Sequence, residues 1–80
     1  MALGVIVRAM DQHELVSYIQ ESACRALSNL AVNDENSKKM GEAGGIGMIL
    51  RAMEHHQRVH KVQEEACRTL ISLTDNNENR

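Results

Sequence analysis

The chain has 80 residues, 42% hydrophobic and 25% charged, with a net charge of −2 at pH 7 and neither proline, phenylalanine nor tryptophan. So even a balance, with no run of like charge, disfavours an electrostatic grip on nucleic acid or on an anionic membrane, and no apolar run reaches the roughly 18 residues a spanning helix needs. The single aromatic side chain is Tyr18, so any core must be built from Ala, Val, Leu, Ile and Met, which suits close helix packing.

Over residues 2 to 12, Leu3, Ile6, Val7 and Met10 recur at i, i+3, i+4 and i+7 and predict a first helix with one apolar face. No start signal precedes it, and the expectation is a chain that opens at the beginning of a helix within a longer array. Ser17 and Gln20 have capping-box spacing, which predicts a long second helix over about 17 to 32 with Ser17 as its cap. Its stripe is Ile19, Ala23, Cys24, Leu27, Leu30 and Ala31. Asn33 to Asn36 supply capping side chains and early negative charge, so a short third helix is expected from about Glu35 to Ala43. Gly44 and Gly45 end it, because glycine takes the positive φ that a sharp turn needs. Ile46, Ile49, Leu50 and Met53 then repeat the first stripe. A second long helix, about Val59 to Thr74, carries Val62, Ala66, Cys67, Leu70 and Leu73, with His60 where Ser17 stands earlier. Residues 75 to 80 read as a frayed tail.

Offset by 43 residues, positions 1–37 match positions 44–80 without a gap, and 17 of the 37 pairs are identical, among them Arg8/Arg51, Met10/Met53, Gln20/Gln63 and Cys24/Cys67. Helix-forming sequence with a period of roughly 40 to 47 residues is the mark of helical solenoids.

Three motifs carry a more specific likeness: Gly44-Gly45-Ile46 leading a short helix, Val62-Gln63 with Ala66 and Leu70, and Ala26-Leu27-Ser28-Asn29-Leu30-Ala31 closing a long one. In these the whole chain resembles armadillo repeats. The resemblance implies an all-α fold, a right-handed α-solenoid fragment of two stacked repeats forming one unit over 1–80. Repeat one would span about 1–33 without its first short helix, repeat two about 34–76, and a tail 77–80. In peptide-binding members of the family the long helices line a groove, and an asparagine of the Ala-Leu-x-Asn-Leu-Ala motif holds the backbone of an extended ligand. Asn29 matches it and Ser72 replaces it in the second repeat. Gly47 stands where the family often has proline, and Arg25 and Arg68 where some members carry tryptophan.

Helical spacing places Tyr18, Ser22, Arg25 and Asn29 in one row and Lys61, Glu65, Arg68 and Ser72 in another, each expected to turn away from its apolar stripe. Ser22, Arg25, Asn29, Glu65, Arg68 and Ser72 are therefore the candidate contacts for a protein or peptide segment, acidic or polar by preference. Arg25 and Arg68 lie four residues after Glu21 and Glu64, so each reads as an exposed helix ion pair of about 0.3 to 0.5 kcal/mol, as a guanidinium fork for carboxylates or phosphates, or as both.

No nucleophile stands beside a base in a recognisable frame, and Gly44-Gly45-Ile46-Gly47 lacks the strand a nucleotide loop needs, so neither catalysis nor a cofactor is expected. His55, His56 and His60 with Cys67 cross a predicted turn, which disfavours a metal site, and the match of His13 to His56 favours a local structural role. Cys24 and Cys67 read as two buried thiols, since neighbouring helix axes are about 8 to 10 Å apart, too far for a disulfide. Met10 and Met53 read as core filling. Two other readings remain: a nucleic-acid-binding helical repeat, which here lacks aromatics and a basic stripe, and a segment that associates with itself. For the second, Leu3, Ile6 and Val7 at one end and Leu70, Ile71 and Leu73 at the other are expected to lie uncovered, favouring head-to-tail association. The expected location is the cytoplasm or the nucleus.

Overall fold

The computed structural model describes residues 2 to 75, and the regular structure among them is entirely helical. In chain order the elements are α1 (Ala2–Gln12), α2 (Ser17–Leu30), α3 (Asp34–Glu42), α4 (Gly45–His55) and α5 (His60–Asp75). The expected tail beyond residue 75 lies outside the described residues.

Local chemistry sets the corners. Asn33 caps α3, its Oδ1 accepting the Asn36 N–H at 3.1 Å, and Asp34 and Glu35 place negative charge in the first turn. Gly44 has φ of 80°, a left-handed conformation that a side chain would strain. Gly45 beside it is buried, and a Cβ there would lie 2.8 Å from Met40 Cγ and 2.9 Å from the Met40 carbonyl oxygen, so α3 and α4 meet this closely only over glycine.

The start of α2 differs from the capping box its spacing predicts. Val16 occupies the cap position, and no side-chain hydrogen bond caps the helix. Gln20 instead turns inward, 1% exposed, and its Nε2 donates to the carbonyls of Met10 at 3.1 Å and His13 at 2.8 Å. Gln63 repeats the device with Met53 at 3.0 Å and His56 at 2.9 Å. Carbonyls at a helix C-terminus lack an intrahelical donor, so each glutamine satisfies one of them, adds a second bond to a turn carbonyl that also accepts from Val16 or Val59, and fastens a long helix to the end of the shorter one before it.

The core lies between the two helix pairs. Contact is most extensive between α2 and α5, and within the pairs α1 packs on α2 and α4 on α5. Met10, Leu27, Met40, Ile49 and Val62 are fully buried at its centre. A radius of gyration of 11.3 Å matches the ~12 Å expected of an ordinary globular chain of this length.

Repeat-related residues do not share an environment, and three expectations change accordingly. Cys24 is buried as expected, but Cys67 is exposed. Helix α2 packs on α1 and α5, whereas α5, packed on α2 and α4, leaves the edge that carries Cys67 and Ile71 open. Leu3 and Val7, expected to lie bare, are 3% and 9% exposed, while Ile46 and Leu50 of the matching stripe are 42% and 52% exposed. At the far end Ile71 is exposed, but Leu73 is buried. Burial, with the nearby Glu65 carboxylate, pushes the Cys24 thiol up to about 11.

Two measurements check this packing. Gln20→Ala strands the buried Met10 carbonyl, while the His13 carbonyl keeps the Val16 N–H at 3.1 Å, and is expected to cost about 1 to 3 kcal/mol in urea unfolding, while Ser17→Ala should cost less than about 0.5 kcal/mol; a capping role for Ser17 would bring it near 1 kcal/mol. With a thiol-reactive disulfide reagent, Cys67 should react at once in the native protein and Cys24 only as the chain unfolds, and fast reaction of both would contradict the burial of Cys24.

Candidate interaction surface

On α2 the spacing i, i+4, i+7, i+11 aligns Tyr18, Ser22, Arg25 and Asn29, and all four are exposed. Nothing among the described residues hydrogen-bonds the Asn29 side chain. The matching row on α5 is not uniform: Lys61 and Arg68 are exposed, Ser72 is half-buried, and Glu65 is 4% exposed. That corrects the expectation that Glu65 turns away from the core.

Its burial follows from the face α5 offers to α2. Val62, Glu65, Ala66, Thr69 and Leu73, at i, i+3, i+4, i+7 and i+11, are all buried. The Thr69 hydroxyl lies 2.8 Å from the carbonyl oxygens of both Cys24 and Glu65, bridging the two helices. In the first repeat Ser22 and Ala26 hold the positions of Glu65 and Thr69. Two polar departures from the repeat thus sit where α5 meets α2.

Around Glu65 two arginines from different helices converge. Arg25 Nη2 donates to Glu65 Oε2 at 3.4 Å, and Arg68 Nε lies 4.0 Å from Oε1. Oε1 is shut from solvent and makes no hydrogen bond among the described residues. Arg25 also meets Glu21 at 3.5 Å, and Arg68 meets Glu64 at 3.3 Å, so the helix ion pairs that the spacing suggests are present. Lys61 lies 3.8 Å from Glu64 as well. Three cations are therefore matched by three carboxylates, yet the arginine side chains remain 58% and 59% exposed. The pairs with Glu21 and Glu64 contribute little each, because solvent screens them. Glu65 differs: it is a buried carboxylate that hydrogen-bonds Arg25 across the two helices and lies 4.0 Å from Arg68.

Of the six candidates, the structure brings Arg25, Glu65 and Arg68 into one cluster. Ser22 and Asn29 flank it along α2, and Ser72 lies one turn beyond Arg68 on α5. A second polar cluster escaped the sequence reading. Glu14, between α1 and α2, forms an ion pair with Arg51 at 3.6 Å and sits 3.3 Å from His55, while Arg51 also meets Asp11 at 3.7 Å. His56, 9% exposed, hydrogen-bonds the Glu14 carbonyl through Nε2 at 2.8 Å. This cluster ties the helix pairs together, and its one legible sign was the His13/His56 identity. Among the described residues no group of three or more His, Cys, Asp or Glu could hold a metal ion, and no helix is long and apolar enough to cross a membrane.

No family model matches the chain, and neither a curated protein nor a solved structure matches it.

The cluster has a stability signature. Arg25→Ala leaves the buried Glu65 with only the Arg68 guanidinium at 4.0 Å, and should cost about 1 to 3 kcal/mol in urea unfolding. Glu65→Leu removes the dry charge while keeping its bulk, and should change stability by less than about 1 kcal/mol in either direction. Equal losses in both variants would mean that the ion pair itself, rather than the stranding of a buried carboxylate, governs the effect.

Proposed function

We propose that the chain is a non-enzymatic interaction module in which two armadillo-like repeats, arranged as a right-handed solenoid, bind an extended protein segment along α2 and α5. The 43-residue offset, which relates α1 to α4 and α2 to α5, supports this reading, as does the close packing of α2 on α5. The observation that carries it is the pair Arg25 and Arg68, one repeat apart, more than half exposed and steadied from beneath by Glu65.

A guanidinium group presents planar N–H donors that suit carboxylates, and holding it in place beforehand lowers the entropy lost on binding. The segment is therefore acidic or polar. The Asn29 amide, exposed on the same row, offers a donor and an acceptor to an extended backbone, with Tyr18, Ser22 and Ser72 as further contacts. Glu65 acts by positioning the arginines. The open thiol of Cys67 suits a reducing compartment, the cytoplasm or nucleus.

Selection of binders from a random peptide library, followed by fluorescence anisotropy with the enriched sequence, tests the reading. The expected winner is acidic or polar, and Arg68→Gln should weaken it about tenfold, while Lys38→Gln on α3 leaves affinity unchanged. Equal binding by Arg68→Gln would reduce the arginines to helix-surface ion pairs, and micromolar binding of single-stranded RNA in preference to any peptide would move the function to nucleic acid.

A further inference from the structure

The face of α4 and α5 that points away from α1 and α2 has an internal reference, because the same register positions occur earlier in the chain with the face covered. Leu3 is 3% exposed and its counterpart Ile46 42%; Val7 is 9% and Leu50 52%; Ser28 is 5% and Ile71 61%. Cys24 is buried and Cys67 exposed. Chemistry does not compensate for the exposure, since Ile71 is more apolar than the buried Ser28. The result is an exposed strip of Ile46, Leu50, Cys67 and Ile71 built to the pattern of a buried one.

What covers the first pair is the inner side of the second, where Ile49, Ala52, Val62, Ala66 and Thr69 are each no more than 3% exposed. Their counterparts one repeat earlier are Ile6, Ala9, Ile19, Ala23 and Ala26, all apolar, and of these only Ala23 is buried. Apart from the share that α3 takes in packing on α1, which has no counterpart in the first repeat, the chain therefore carries both halves of its internal interface a second time, the half on α1 and α2 being partly accessible.

Charge completes the match. Across the internal seam Arg51 pairs with Asp11 at 3.7 Å. Moved by one repeat, that pair becomes Arg8 of one molecule and Glu54 of another. Both residues are exposed, and neither has an ion pair or side-chain hydrogen bond among the described residues. His13, also exposed, would take the place of His56 at the carbonyl of Gln57, the counterpart of Glu14.

We propose that the strip Ile46, Leu50, Cys67 and Ile71 seats a second copy of this chain head to tail, on that copy's Ile6, Ala9, Ile19 and Ala26, with Arg8 of the second copy against Glu54 of the first. The contact reproduces the internal one without its most costly member, since Ser22 stands where Glu65 would bring a buried carboxylate. It is heterologous and leaves both outer faces open again, so association continues past a dimer. By the same offset Arg68 of the first copy stands where Arg25 does internally, at the edge of the contact and facing Ser22 of the second copy.

Sedimentation velocity in the presence of reductant, from about 10 μM to about 1 mM, tests this. The weight-average mass should climb past twice the monomer's 8.9 kDa. Leu50→Glu combined with Ile71→Glu, both at exposed positions and checked for an unchanged thermal transition, should hold the chain at monomer mass throughout. Glu54→Arg should weaken association by about threefold or more, and adding Arg8→Glu to the same chain should restore it. A wild-type mass that stays at 8.9 kDa, association that survives Leu50→Glu/Ile71→Glu, or a charge-swapped double variant no better than Glu54→Arg alone would each overturn the proposal.

Discussion

Everything distinctive about this molecule follows from how α5 lies on α2. The contact is made without a single aromatic ring, and Val62, Ala66 and Leu73 of α5 and Cys24 and Leu27 of α2 are all buried. Small side chains let the helices approach closely enough for the Thr69 hydroxyl to reach the Cys24 carbonyl at 2.8 Å. Such proximity makes the seam intolerant of bulk and places any polar residue within it under strong demand for a partner.

Glu65 is the residue under that demand. An ionised carboxylate carried into a dry seam loses hydration that its partners must repay, and here one oxygen meets Arg25 while the other lies 4.0 Å from Arg68 without a hydrogen bond. The matching residue of the first repeat, Ser22, is exposed, so the repeat sets no precedent for a charge buried at this position. Glu65 tethers the Arg25 guanidinium across the seam and brings it near that of Arg68, while both arginine side chains stay more than half exposed. An arrangement that is expensive inside and ordered outside is one that stability does not require, and for that reason it weighs towards recognition.

The two pairs are also locked end to end by polar groups that no apolar pattern would suggest. Gln20 and Gln63 each spend both amide protons on carbonyls at the end of the preceding helix. His56 fixes the seam at the Glu14 carbonyl. Since buried polar groups are costly when unsatisfied, these bonds favour one relative placement of the helices over the many that an alanine- and leucine-rich core would otherwise tolerate.

The order and extent of the five helices were legible in the sequence, because a 3.6-residue period, the Asn33 cap and the Gly44 turn act within a few residues of chain. The 43-residue identity likewise announced that α4 and α5 restate α1 and α2. Periodicity could not say which of two equivalent helices would have a neighbour on its second side. Cys24 and Cys67 share local sequence and differ wholly in burial, and Leu3 and Ile46 diverge in the same way. Nor could a helical wheel show that Glu65, placed by spacing beside exposed Lys61 and Arg68, lies on the edge of α5 that rolls onto α2. Gln20 at capping-box distance from Ser17 was similarly ambiguous until α1 supplied carbonyls for its amide. Burial and polar partnership depend on residues some 40 positions away, and only the folded chain brings these together.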